Sequence, residues 1–188
     1  MGARLLVPIN RPIAMTYSNM ERKQKIVSTR LRFLLAAKAL RPLLPLLKVG
    51  YKEKYRRDRR VRPFNHAMRQ VLKNGIVGEY PDLQVDYSRI LLSDGSYDRL
   101  SAVELSRDES VLQIKYAIDA AGKADDVVLW TALCVEKEEA LAVQGKRSNG
   151  TLQSAVPSHL IECRFHHYIT VCDRDYKRFS RSQYLGMI

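Results

Sequence analysis

The chain has 188 residues, 46% of them hydrophobic, so it can bury a core, and this excludes a wholly disordered protein. It carries 32 Lys and Arg against 20 Asp and Glu, a net charge of +12. Residues 1–80 hold 19 basic and 4 acidic side chains (net +15) and residues 81–188 hold 13 and 16 (net −3), which predicts an anionic partner for the first half.

Residues 1–17 are predicted to form an extended N-terminal arm, because Pro8 and Pro12 disfavour a helix there. Their apolar run is too short for a secretory signal peptide. No stretch of the chain reaches the roughly 18 uncharged residues of a membrane-spanning helix. We therefore expect a cytoplasmic or virion location, no secretion through a signal peptide and no membrane partner.

Residues 18–80 are predicted to form a basic helical region. Ser18 and Glu21 have the spacing of a capping box, which favours a helix that begins there and continues to residue 40. Positions 26, 30, 33, 37 and 40 recur at three- and four-residue intervals, so we expect them to share one face. Pro42 is expected to end or kink this helix.

After Pro42, the region continues with an apolar run and a second helix. The apolar run at residues 43–47 has the length of a buried joint between helices and is too short for a membrane anchor. A helix is predicted from residue 64 to about residue 73, because Asn74 and Gly75 form a helix stop.

Residues 81–188 are predicted to form a β-sandwich domain. Short strand-like runs alternate with turn signals and show no helical period, a pattern typical of an antiparallel sandwich. The predicted strands are residues 84–93, 102–106, 111–118, 127–135, 140–143, 152–155, 161–171 and 179–185. Trp130 is the expected core aromatic residue. The predicted fold class is α+β, a basic, mainly helical N-terminal part followed by an antiparallel fibronectin/immunoglobulin-like β-sandwich, with the fibronectin type favoured because no cysteine pair joins the sheets.

Three groups of short motifs occur in an order found in a known family. The first is RLRF at residues 30–33, PL at 42–43 and GYK at 50–52; the second is FN at 64–65 with Ala67, GEYPD at 78–82 and VDYSRILLS at 85–93; the third is SRSQYLG at 180–186. By these residues the chain resembles an uncharacterised family of Bacteroidota and phage-associated proteins, domain of unknown function 6266. Members usually open with a GxxGKxG segment, which residues 1–17 lack.

The resemblance implies a helical N-terminal part followed by a fibronectin-like sandwich. It implies no activity for the chain. The association of the family with phage-like gene content implies a structural role in a virion or a related assembly.

The strongest functional signal is the basic segment, which we define as residues 48–62. It holds eight cations within fifteen residues, opposed by Glu53 and Asp58, and its two tyrosines could stack on bases or cover phosphates. Its arginines suit bidentate contacts with phosphate or carboxylate groups. The predicted anion-binding, nucleic-acid-binding or acidic-partner-binding residues are Lys48, Tyr51, Lys52, Lys54, Tyr55, Arg56, Arg57, Arg59, Arg60 and Arg62. Nucleic acid, an acidic protein surface and a merely solvated loop all stay open at this point.

A metal site is not predicted from the histidines and cysteines. Cys163, His166, His167, Cys172 and Asp173 are metal-ligating residue types, but adjacent histidines on a strand point to opposite faces, and no pair has CxxC or HxxxH spacing. The sparse cysteines favour a reducing compartment and predict no disulfide framework. We expect no cofactor and no metal.

No catalytic residues are predicted either. GxSxG and HExxH are absent, and the carboxylates of Asp125, Asp126 and residues 136–139 are explained by solvated turns. Residues 145–148 faintly resemble a phosphate-binding loop, but position 140 lacks the required glycine. We expect no small-molecule substrate.

The sequence therefore predicts a non-enzymatic structural or assembly protein, specifically a phage or phage-derived virion component that forms a homo-oligomer or a larger assembly. Its arm would wrap a neighbouring subunit, and its basic helical region would contact acidic neighbours or packaged nucleic acid. The alternative hypothesis is a stand-alone nucleic-acid-binding protein that uses the basic segment.

Overall fold

The computed structural model describes residues 13–118 and 122–188. The helices precede the sheets in the chain, and their bounds follow in chain order. They are α1 (Ile13–Leu40), α2 (Leu44–Gly50), α3 (Lys52–Arg57) and α4 (Pro63–Gln70), with a 3-10 turn at Arg41–Leu43 and a π-helical turn at Val71–Gly75.

Helix α1 begins earlier than the capping box predicts. It starts at Ile13, so residues 13–17 of the predicted extended arm are helical, and no proline follows in the sequence until Pro42 to interrupt the helix. The rest of the predicted arm, residues 1–12, lies outside the described residues. Leu43 and Leu47 are fully buried between the helices, which confirms the predicted joint.

The five positions predicted to share a face lie on the single helix α1, and that face is exposed for most of its length. Ile26 and Phe33 are exposed, and the buried residues of α1 are Ala36, Ala39 and Leu40, near its C-terminal end. The three- and four-residue spacing identified residues on one side of the helix. Only the last turns of α1 pack against other described residues, so only there is the helix buried.

The strands form one hairpin and two larger sheets, all antiparallel. They are β1 (Ile76–Val77), β2 (Gln84–Val85), β3 (Glu104–Asp108), β4 (Val111–Lys115), β5 (Val127–Cys134), β6 (Glu139–Lys146), β7 (Thr151–Ala155), β8 (Phe165–Cys172) and β9 (Gln183–Met187). The sheet orders are β1-β2, β3-β4-β7 and β6-β5-β8-β9. The three-plus-four sandwich with β6 beside β5 confirms the fibronectin-like fold class, because an immunoglobulin constant domain places its fourth strand on the other sheet.

The four-stranded sheet has a core on each face. Trp130 and Val128 of β5 point into the core between the two larger sheets, which confirms Trp130 as the core aromatic residue. Leu133 of β5 and Tyr168 of β8 belong instead to the core beneath the helices. The described chain is therefore layered as helices, four-stranded sheet and three-stranded sheet. Within the described ranges, every helix is too short or too polar to cross a bilayer.

The segment that follows the helices is less regular than predicted. Residues 84–93 form only β2 and a 3-10 turn at Tyr87–Arg89, because the Asp86 carboxylate accepts the backbone N–H of Ser88 at 3.1 Å and folds the chain back. Leu92 then passes against α2 so closely that a Cβ at Gly50 would lie 2.0 Å from its carbonyl oxygen. Helix α2 is thus in direct contact at Gly50 with the segment that leads into the sandwich.

Candidate anion-binding surface

The basic segment runs from the end of α2 through α3 to the start of α4, and two acidic side chains fix it to the sandwich. Glu53 Oε2 accepts the backbone N–H of Phe179 at 3.1 Å, and its other oxygen accepts from Arg57. Lys54 forms an ion pair with Asp94. Two of the eight predicted cations therefore have intramolecular acidic partners.

One of the two tyrosines of the basic segment is not available for the predicted contact with a ligand. Tyr51 is buried, its hydroxyl donates to the carbonyl oxygen of Leu91 at 3.1 Å, and its ring stacks on His66 with centroids 6.0 Å apart. Burial, assisted by Asp94, raises the pKa of Tyr51. The prediction that Tyr51 stacks on a ligand is wrong, because the apolar surroundings of α2 and α4 enclose it. Tyr55 is half-buried.

The remaining cations face solvent. Among the described residues none of the six has a carboxylate at salt-bridge distance; they are Lys48, Lys52, Arg56, Arg59, Arg60 and Arg62. The two acidic residues among them in the sequence are both engaged, Glu53 as described above and Asp58 through its Oδ1, which accepts the backbone N–H of Arg60 at 3.0 Å. Six exposed cations without acidic partners form a surface of strongly positive potential.

A cleft of about 400 Å³ lies between α3 and the loop that joins β8 to β9. Its lining residues are Glu53, Arg56, Arg57, Asp173, Lys177 and Arg178. Asp173 accepts the backbone N–H groups of Lys177 at 2.6 Å and Arg178 at 3.1 Å, and these bonds with the Arg178 guanidinium hold its pKa below the usual range despite burial. Four cations against two carboxylates give the cleft lining a net charge of +2, and Arg56 is the lining cation without a carboxylate at salt-bridge distance among the described residues.

Sequence reasoning missed Lys177 and Arg178, because only the fold brings the β8–β9 loop beside α3. Arg174 and Lys177 each contact acidic neighbours in that loop, and its excess of two positive charges is small beside the excess of six in the basic segment. The chemistry that this arrangement offers is recognition of phosphate or carboxylate groups by guanidinium and ammonium donors.

The predicted split of the adjacent histidines is confirmed. His167 points into the sandwich core, where its Nδ1 accepts from Trp130 Nε1 at 3.2 Å, and His166 points to the helical side, where it bonds the Tyr184 hydroxyl at 2.8 Å. Among the described residues, Cys172 joins neither of them in a ligand cluster. Burial lowers the pKa of both histidines, that of His167 to about 4.

A different group of metal-ligating side chains lies together at one end of the sandwich. Cys134, Glu136 and Cys163 bring two sulfur atoms and a carboxylate oxygen within 4.8 Å of one another. No sequence motif indicates this group, because its two cysteines are 29 positions apart and neither belongs to a CxxC motif.

Comparison with known proteins gives a family for the chain and no activity. A family model described as a family of unknown function (DUF6266) matches residues 11–186. No curated protein matches the chain at a significant level. A crystal structure of the fibronectin domains FN1–FN3 of chicken CNTN1 is similar at 12% identity and a TM-score of 0.39, over 51% of this chain and 32% of that one. The chain thus matches about a third of the length of that solved structure.

Proposed function

The chain belongs to the family of unknown function DUF6266, and we propose that it is a non-enzymatic structural protein that assembles with copies of itself through α1. The observation that carries the proposal is the exposure of this helix. Residues 19–30 are exposed apart from the half-buried Ser28, so this part of α1 extends from the body without a packing partner among the described residues.

A helix without a packing partner gains little stability from the helix propensity of its own residues. Isolated helices shorter than about 12–15 residues are marginal in water, and most helical stability in proteins comes from packing of an apolar face. Met20, Val27 and Leu34 are large apolar side chains, and all are exposed on α1. Their burial against another chain would supply the missing packing.

The spacing of the exposed apolar residues points to a second α1 as that partner. Met20, Val27 and Leu34 recur every seven residues. Gln24 lies halfway between the first two, and Leu31, which is half-buried against the core beneath the helices, lies halfway between the last two. A repeat of 3.5 residues is the pattern of a coiled-coil seam, in which each side chain of the seam inserts between four residues of the facing helix.

The charges beside this seam favour a parallel pair of helices. Glu21 and Ser28 flank one edge of the seam, and Lys23 and Arg30 flank the other. In an antiparallel pair like edges face each other, so Lys23 would oppose Arg30 and repel it. In a parallel pair Lys23 faces Ser28, and this repulsion is absent.

Replacement of Val27 by lysine is expected to convert the dimer to a monomer, with at least a tenfold weaker association, because two ammonium groups would be buried in the seam. Light scattering coupled to size-exclusion chromatography measures the mass, and circular dichroism checks that the helix content is kept. Val27 and Ile26 are 44% and 45% exposed, and Ile26 lies outside the seam. Ile26→Lys is therefore the matched control, and we expect it to remain dimeric.

Two results would reject the coiled-coil assembly. The first is a wild-type protein that stays monomeric at high concentration. The second is an Ile26→Lys protein that loses its dimer as completely as Val27→Lys does.

We further propose that the assembly is part of a phage or phage-derived particle, built in the cytoplasm or present in the virion. Support comes from the phage association of the family that the chain resembles. In such a particle the six exposed cations of the basic segment would contact acidic faces of neighbouring subunits or packaged nucleic acid.

A stand-alone nucleic-acid-binding protein is the second candidate, favoured by the cations of the basic segment that lack acidic partners. If Arg56, Arg59 and Arg60 contact phosphates, their joint replacement by glutamine should lower the slope of log K against log salt by about 3. Fluorescence anisotropy with duplex DNA between 50 and 200 mM salt measures this. The control replaces three exposed lysines, Lys115, Lys123 and Lys146, jointly by glutamine, which removes the same amount of charge at other positions. The slope of log K against log salt should then stay near that of the wild type.

The monomeric Val27→Lys protein separates the two functions. A stand-alone binder should retain the DNA affinity of the wild type in this monomer. Loss of DNA binding in the monomeric Val27→Lys protein would reject the stand-alone function. So would the absence of detectable DNA binding at 50 mM salt in both the wild type and the Val27→Lys protein.

A further inference from the structure

Cys134, Glu136 and Cys163 meet where strands β5 and β8 share one end of the four-stranded sheet. Cys134 is the last residue of β5, Glu136 lies in the turn that follows, and Cys163 comes two residues before β8 begins. Cys134 Sγ lies 3.3 Å from Glu136 Oε2, and the two sulfur atoms and the carboxylate oxygen are all within 4.8 Å of one another.

We propose that these three side chains bind a thiophilic divalent cation, Zn²⁺, with a water molecule as the fourth ligand. Thiolate sulfur and carboxylate oxygen are common zinc ligands, and two sulfur atoms on one tetrahedral ion lie about 3.8 Å apart. The observed separations therefore close onto an ion through side-chain movements of about 1 Å or less. Both thiols are buried and Glu136 is exposed, so the ion enters from the solvent side, where the water completes the tetrahedron.

The surroundings compensate the charge of this ligand set. Two thiolates, one carboxylate and Zn²⁺ sum to one negative charge, and two arginines lie close to it. Arg107 Nη1 donates to the carbonyl oxygen of Cys163 at 2.7 Å, and the positive charge of Arg164, next in sequence, favours the ionised form of Glu136. Arginine near a net negative ligand set is favourable electrostatically.

Zinc binding must displace thiol protons. Without an ion, burial and the hydrogen bonds with Cys163 and Glu136 raise the pKa of the Cys134 thiol to about 12. Each thiol then loses its proton to solvent as its sulfur bonds to the ion, and the affinity falls as the pH is lowered. The bound ion would link the β5–β6 turn to the segment before β8, and this link is independent of α1 and of assembly.

The experiment is a Co²⁺ titration of the full, reduced chain under argon. Tetrahedral thiolate coordination should give sulfur-to-cobalt charge-transfer bands in the near ultraviolet and d–d bands in the visible at one equivalent, and Zn²⁺ should abolish both. Cys134→Ser and Cys163→Ser should abolish the charge-transfer bands. Cys172→Ser removes the third buried cysteine, which lies outside the group, and should leave the spectrum unchanged.

Glu136→Gln tests the site without a change in the core, because Glu136 is exposed. We expect it to weaken Co²⁺ binding at least about tenfold and to leave the circular dichroism spectrum of the apoprotein unchanged. The proposal is overturned if the wild type shows no thiolate band. It is equally overturned if a Cys172→Ser protein with the circular dichroism spectrum of the wild type loses the band.

Discussion

Replacement of Asp126 by alanine is expected to lower the free energy of unfolding by about 3–5 kcal/mol, the usual cost of removing one partner of a buried ion pair. The side chains of Asp126 and Arg147 are each 1% exposed, and Asp126 Oδ2 lies 3.9 Å from Arg147 Nη1. Without the carboxylate, the buried guanidinium would lose this charged partner, while Arg147 Nη2 would still donate to the carbonyl oxygen of Arg99, at 3.3 Å.

The same carboxylate also holds two neutral donors. It accepts the Tyr97 hydroxyl at 2.7 Å and the backbone N–H of Lys123 at 2.9 Å. Burial and the hydrogen bond to Asp126 raise the pKa of Tyr97 to about 12. Since Arg147 follows β6 directly and Asp126 precedes β5, this group of contacts fixes the end of the hairpin that these strands form.

Urea unfolding followed by circular dichroism measures the loss, and the neighbouring residue provides the control. Asp125 is 46% exposed and pairs with the exposed Arg174 at 3.3 Å, so Asp125→Ala should cost less than about 1 kcal/mol. Similar small losses for both variants would show that the buried pair contributes no more than a surface pair.

Asp125 and Asp126 also show why the sequence could not identify the buried pair. Both residues lie in the same turn signal, and a solvated turn is the expectation for either of them. The difference depends on Arg147 and Tyr97, which are distant in sequence and meet Asp126 only in the folded sandwich. Prediction of Asp125 as solvated was therefore right, and the same prediction for Asp126 was wrong.

The strands of the sandwich were predictable because their signals are local. The strand-like run at 127–135 is bounded by turns on both sides, and β5 occupies nearly all of it. The run at 84–93 carries a similar signal, yet Ile90 and Leu92 pack beneath the helices instead of pairing in a sheet. Tertiary packing overrides strand propensity there, and a sequence pattern contains no information about which surface will cover it.

In the candidate sites, too, local sequence signals predicted some residues and only contacts across the fold revealed the others. The basic segment was predictable because its cations are consecutive, and exposure of six of them follows from their density. Burial of Tyr51, the contribution of Lys177 and Arg178 to the cleft, and the meeting of Cys134 with Cys163 all depend on contacts across the fold. Composition therefore predicts a surface that would attract an anionic partner, and the topology of the fold determines which residues form that surface.

Acidification from pH 7 to pH 4 is expected to remove about 3 kcal/mol of stability through His167. Burial, together with the positive charges of His166 and Arg107, lowers the pKa of His167 from 6.5 to about 4. Because the folded pKa is the lower one, the unfolded chain binds the proton more tightly. This contribution to stability is complete above about pH 6.5 and is lost as the pH falls towards 4. The hydrogen bond from Trp130 acts in the same direction, since Nδ1 of His167 must stay unprotonated to accept the Trp130 N–H.

Urea unfolding at intervals between pH 7 and pH 4.5 tests this, above the range in which most carboxylates titrate. His167→Gln places a non-titrating acceptor near Trp130, so its stability should depend much less on pH, whatever its stability at pH 7. His166→Gln is the matched control on the opposite face of β8. Its half-buried ring also has a lowered pKa, so the change should flatten the profile less than His167→Gln does. If His166→Gln flattens the profile more, or if the wild type loses less than about 1 kcal/mol, buried His167 is not the group that limits stability in acid.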